Sequence, residues 1–118
     1  MQRVSVRFFA LTSGREPVRE WLLSLPAPER KAIGDDIRTM QFGWPVGMPL
    51  VRKLDTDLWE VRVTMPSGIA RVFFTMVENE AILLHGFIKK SQKTPSTELE
   101  TAMKRKRTLE ASQERTKQ

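Results

Sequence analysis

Five side chains carry most of the chemistry this sequence can offer. Arg62, Arg71, His85, Phe87 and Lys89 fall in three successive stretches of two-residue period, LWEVRV (58–63), ARVFFTMV (70–77) and AILLHGFIKK (81–90). Alternate side chains of a strand leave by opposite faces. Trp59, Val61 and Val63 therefore share one face, and Leu58, Glu60 and Arg62 share the other. Val72, Phe74 and Met76 oppose Arg71, Phe73 and Thr75, while Ile82, Leu84 and Ile88 oppose Leu83, His85, Phe87 and Lys89. A loop at 65–68 would pair Arg62 with Arg71, and a turn at 78–80 would set Arg71 opposite Phe87 with Lys89 diagonal to it. Lys53 is expected to join them from LVRKL (50–54). Cations facing one another across strands cost stability, so their convergence points to an anionic ligand. The plainer reading pairs Arg62 and Arg71 with Glu60, Asp55 or Asp57 as surface ion pairs of about 0–1 kcal/mol each. It leaves His85 structural and Phe87 a packing residue.

Other chemistries are excluded or weakly supported. The chain has no cysteine and one histidine, which removes thiolate zinc sites, disulfides, cysteine nucleophiles and any multi-histidine metal centre within one chain. No phosphate-loop glycine pattern and no GxSxG elbow occur, and there is no tyrosine. Asp35-Asp36 and Asp55-x-Asp57 lie in a helix and a tight turn, where carboxylates have structural uses. The formal charge is +6, a surplus that favours polyanionic partners. Six cations, with only Glu110 and Glu114 against them, fall in the last fifteen residues. Such a tail either meets a polyanion or serves as a solvated end.

The elements that must hold these residues follow from length and period. At 118 residues, with 40% hydrophobic and 29% charged residues, one domain with a modest core is expected. VSVRFFA (4–10) alternates as a strand. Val18, Trp21, Leu22 and Leu25 share one face of a short helix with Pro17 in its first turn and Pro26 as its stop. Pro28 opens a second helix, with Ile33, Ile37 and Met40 on one face and Gly43 closing it, and the two form a helical hairpin. Four strands over 50–54, 58–63, 70–77 and 81–90 have breaks too short for crossovers, which gives an antiparallel meander. Thr94-Pro95 starts a last helix, striped by Leu99, Ala102, Met103 and Leu109, whose basic end at 108–118 is expected to fray. The class is α+β, with helices on one face of the sheet and the other face partly open to a ligand. No apolar run reaches the roughly 20 residues that span a bilayer, and no leader pattern occurs, so a soluble cytoplasmic protein without a membrane partner is expected.

The series LWEVRV…GIARVFFTMVENEAILLHGFIKKSQKTPSTELETA resembles the RelE/ParE superfamily of bacterial toxins, in its HigB-like, phage-derived branch. The likeness spans about residues 3–107. It implies a RelE-like fold: an N-terminal strand, a helical hairpin, a four-stranded antiparallel meander and a C-terminal helix. It also implies the toxin of a type II toxin–antitoxin system, an mRNA interferase that needs no metal or cofactor and acts on ribosome-bound messenger RNA. In that chemistry the ribose 2′-hydroxyl attacks the scissile phosphate, leaving a cyclic phosphate and a 5′-hydroxyl. The arginine after Gly-x-x matches Arg71, assigned to the scissile phosphate, where a planar always-charged fork suits the non-bridging oxygens. The lysine after the last strand's aromatic matches Lys89, for charge stabilisation or proton exchange. Phe87 stands where many relatives have tyrosine, which leaves His85, as the group titrating near neutrality, to be the third catalytic residue beside Arg71 and Lys89. Lys53, Arg62, Phe87, Lys90 and Lys93 complete the expected RNA contacts. The implied partner is an antitoxin of the Xre helix-turn-helix type. Two other readings are a ParE-like inhibitor of DNA gyrase that cuts no RNA and an inert RNA-binding remnant of a prophage.

Overall fold

The computed structural model describes residues 4–89 and 96–117, with side chains through Gln113. The elements run β1 (Ser5–Phe8), α1 (Pro17–Ser24), α2 (Ala27–Gly43), β2 (Val51–Asp55), β3 (Leu58–Met65), β4 (Gly68–Val77), β5 (Glu80–Lys89) and α3 (Ser96–Lys117). Lys90, Lys93 and the Thr94-Pro95 cap lie outside the described residues.

The α+β class holds, but the sheet has five strands and is mixed. Its order is β1-β5-β4-β3-β2, and β1 pairs in parallel with β5 over Ser5↔Glu80 to Phe8↔Leu83. The four-stranded meander of the sequence reading is thus extended by the N-terminal strand. The helix hairpin covers one face. Val18 of α1 and Ile33, Ile37 and Met40 of α2 pack on Val61, Val63, Val72, Phe74 and Leu83, beside a Trp44–Trp59–Phe74 aromatic cluster. Gly86 permits a close approach there, because a Cβ at that position would fall inside the Trp21 indole.

The opposite face is not simply open, as the sequence reading expected. Ala102 and Leu109 of α3 pack on Phe9, Leu58, Phe73, Ile82, Leu84 and Phe87, making a second small core. That core departs from strict alternation in β5, since Ile82 and Leu84 share a face with Phe87 while Leu83 joins the helix-hairpin side. A bulge explains it: Phe73 pairs with His85 and Phe74 with Leu83, so Leu84 is an extra residue in β5.

The turns are also tighter than expected. Met65 pairs with Gly68, and Val77 with Glu80, leaving two-residue connections in which Glu78 takes φ 55°. The Arg62↔Arg71 register is unaffected, because the extra pairs only zip the expected loop further. In the other hairpin a shorter turn alone would have moved Arg71 off Phe87, and the added Leu84 restores the pairing. Among the described residues no helix is long and apolar enough to cross a membrane.

Candidate functional site

Two rungs of the sheet assemble the site. Along the first, Arg52 of β2 lies opposite Glu60 of β3, which lies opposite Phe73 of β4, which lies opposite His85 of β5. Along the second, Arg62 faces Arg71 and Arg71 faces Phe87. Lys89 pairs with Ile69, two residues before Arg71, and so stands diagonal to it. Directly opposed residues share a face, so all of these side chains leave on the side that α3 partly covers. The hydrophobic strand residues between them go the other way, into the core under the helix hairpin.

Glu60 is the hub. It is 0% exposed, and its carboxylate meets guanidinium groups from three strands. Oε1 is 3.0 Å from Nε of Arg52 and 3.8 Å from Nε of Arg62, and Oε2 accepts from Nη1 of Arg71 at 3.3 Å. The surface ion pairs of the plainer sequence reading are therefore real pairs, but in a buried setting where removing one partner strands a charge. Arg71 and Lys89 are themselves buried, whereas the side chains of Arg52 and Arg62 keep 39% and 26% exposure at the outer end of the cluster. Arg52, Arg62, Arg71, Lys89 and Glu60 together carry a formal charge of +3. Burial lowers the pKa of Arg71, with Glu60 opposing and Arg62 and Arg52 reinforcing the shift. Burial, followed by the charge of Arg71, holds the Lys89 ammonium below the usual lysine range. A surplus of desolvated positive charge on a rigid sheet is an anion-binding arrangement.

His85 sits at the margin, tied to α3. Its Nε2 is 3.3 Å from Oε1 of Glu98, and its Nδ1 is 3.3 Å from Nη1 of Arg105, which also donates to the carbonyl of Leu84 at 2.8 Å. A guanidinium has no acceptor to offer, so Nδ1 carries the lone pair and the proton of the neutral ring resides on Nε2, toward Glu98. Burial lowers the His85 pKa more than Glu98 raises it, and the ring is neutral near pH 7. The ring stacks on Phe87 at 5.8 Å, and Phe87 meets Phe73 edge-on at 5.5 Å. His85 thus adds an aromatic wall while both of its nitrogens face α3.

Of the residues singled out in the sequence, Arg62, Arg71, Phe87 and Lys89 come together, and His85 adjoins them. Lys53 does not join them. It lies opposite Trp59 with Nζ 5.8 Å from the indole centre, on the helix-hairpin face. Its expected position belongs to Arg52, one residue earlier, and the alternation that put Glu60 beside Arg62 already carried that signal. Glu60, Glu98 and Arg105 were also missed as site residues; no local pattern marks Glu60 as buried or brings α3 to His85. Among the described residues no three His, Asp or Glu side chains gather as a metal ion would require. Arg62 also lines a cleft of about 350 Å3 with Asp36, Pro49, Leu50 and Thr64.

No curated protein matches the chain in sequence. The family model described as phage-derived protein Gp49-like (DUF891) matches residues 20–107, which include the whole of β2 to β5, both helices of the hairpin in large part, and α3 as far as Arg105 and beyond. With its cationic sheet face inside that match, the chain belongs to the phage-derived Gp49-like family, a family of the RelE/ParE-like toxin superfamily.

Proposed function

We propose that this protein is the toxin of a type II toxin–antitoxin pair, with a HigB-like use of a RelE-like fold, and that it is a metal-independent endoribonuclease acting on ribosome-bound messenger RNA. The observation that carries the reading is the convergence of Arg52, Arg62, Arg71 and Lys89 around one buried carboxylate, beside the His85–Phe87 stack. A gyrase inhibitor that cuts nothing has no need to desolvate an arginine and a lysine side by side.

The chemistry assigns roles by burial. Arg71 and Lys89 take the non-bridging oxygens of the scissile phosphate, where charge grows as the phosphorus becomes five-coordinate. Arg62 and Arg52, at the exposed end, take flanking phosphates. The 2′-oxygen bonds to phosphorus and its proton leaves to solvent. The bond to the 5′-oxygen breaks, and Lys89, its ammonium already disfavoured by burial, protonates that oxygen. Phe87, packed in the second core, backs the His85 ring, whose exposed part offers a surface against which a base can stack. An antitoxin, of Xre helix-turn-helix type in this reading, silences the site, and Lys90 and Lys93 extend the RNA contacts.

Induction of the toxin in cells tests this directly. The expected result is growth arrest with new RNA 5′ ends inside coding regions, unchanged DNA supercoiling, and loss of arrest in Arg71→Ala and Lys89→Ala. Arrest with altered supercoiling and no new 5′ ends would replace the reading by gyrase inhibition, and arrest that persists in both variants would refute the site.

A further inference from the structure

Glu60 has no place in the chemistry above, yet it is the most completely enclosed charged side chain of the cluster. Removing a carboxylate from water costs several kcal/mol, and an apolar residue of similar size in such a place is often neutral or stabilising. The carboxylate here lies within 4 Å of three guanidinium groups, two of them through Nε. Ion-pairing through Nε leaves the Nη amino groups of Arg52 and Arg62 for other acceptors. The Nε donors of these two arginines are buried against Glu60 at ion-pair distance without hydrogen-bond alignment. The contact is therefore one of charge and placement more than of directed bonding. With no exposed surface, Glu60 cannot itself touch a phosphate or exchange a proton with an RNA.

Three arginines on adjacent strands would otherwise repel and spread. We propose that Glu60 is the positioning residue of the anion site: its single negative charge gathers Arg52, Arg62 and Arg71 into one preformed cradle for consecutive phosphates of a single-stranded RNA. This deepens the function proposed above and rests on it for the identity of the ligand, though the gathering of the arginines does not. The inference has a signature that a merely structural carboxylate lacks. Removing the charge makes the site more positive, so attraction for RNA is kept or strengthened, while the geometry that stabilises the reacting phosphate is lost. Binding and cleavage should move apart.

The test compares native protein with Glu60→Gln, which keeps the shape, and Glu60→Asp, which keeps the charge. Arginine Nε–Hε resonances in NMR report the cradle without any RNA. In native protein those of Arg52, Arg62 and Arg71 should be dispersed; in Glu60→Gln they should move toward the position of free arginine, and Glu60→Asp should restore part of the dispersion. With RNA, cleavage by Glu60→Gln should fall about tenfold or more, while affinity for a 2′-deoxy oligonucleotide that cannot react is unchanged or tighter. Unaltered arginine resonances in Glu60→Gln would overturn the proposal, as would equal loss of binding and cleavage. Should Glu60→Gln fail to fold, Glu60→Asp decides alone: arginine dispersion and cleavage reduced together, with binding kept, support the inference, and native cleavage despite lost dispersion, or lost cleavage despite native dispersion, overturns it. If native protein cuts no RNA, the functional reading fails, and the resonance comparison still judges the role of Glu60.

Discussion

Salt dependence offers the most quantitative check on which side chains meet the RNA. Each phosphate neutralised by a cation releases counterions from the strand, and for single strands the logarithm of the binding constant falls against the logarithm of salt with a slope near −0.7 per contact. Four cations make up the cluster, Arg52, Arg62, Arg71 and Lys89. Arg71 and Lys89 share the scissile phosphate and Arg52 and Arg62 take one flanking phosphate each, so three phosphates contribute a slope of about −2.1, or roughly an 18-fold loss of affinity between 50 and 200 mM salt. Arg62→Ala should lower the slope by about 0.7 and cut that loss to roughly 7-fold. Lys53→Ala should leave the slope untouched, because Lys53 lies over Trp59 on the opposite face. Fluorescence anisotropy of a labelled 2′-deoxy oligonucleotide measures this without turnover, and basic residues of α3 cancel in the comparison of variants. A slope unchanged by Arg62→Ala but lowered by Lys53→Ala would show that RNA follows the other face, and the two-rung site would be wrong.

Other expectations follow from single contacts. His85 is held neutral by burial, with a folded pKa below its ordinary value near 6.5. Between the two values the unfolded chain takes up a proton that the folded chain refuses, so stability falls as the pH drops through 6.5 toward the folded pKa. Urea unfolding at a series of pH values from 7.5 to 5 should show this fall, and His85→Gln should flatten it; an unchanged profile would mean that other groups set the dependence. Gly86→Ala would drive a methyl group into Trp21. The expected cost is about 1–3 kcal/mol, read as a lower urea midpoint, and a midpoint equal to native would show that α1 yields freely.

Much of the site was legible because register follows from counting. The residues between Arg62 and Arg71, and between Arg71 and Phe87, fix which side chains oppose once a hairpin is assumed, and those pairings occur. The second one holds through compensation, since the turn is a residue shorter than expected and Leu84 supplies the missing residue as a bulge. Bulges leave no mark in an alternating apolar run such as AILLHGF, so the change of face at Leu83 and Leu84 was hidden. Lys53 was misplaced by a parity error that the pairing of Arg52 with Glu60 corrects. The depth of Glu60 was invisible for a different reason. Burial is a property of everything packed around a residue, and α3, which reaches back across the sheet to His85 and Phe87, begins after the last strand has ended. The parallel pairing of β1 with β5 joins segments some seventy-five residues apart, a relation that local period does not encode.

The two margins of the sheet have a consequence for how this protein meets others. They are formed by its shortest strands, β1 with four residues and β2 with five. The second is irregular between Lys53 and Asp55 and bears Arg52, Lys53 and Asp55. Brevity, charge and irregularity are the devices that discourage one chain from extending the ladder of another. A neighbour seeking to add a strand would gain only a handful of backbone bonds on either side. Recognition of this molecule by a second protein must then be won through side chains, on a helix surface or across the cationic face itself.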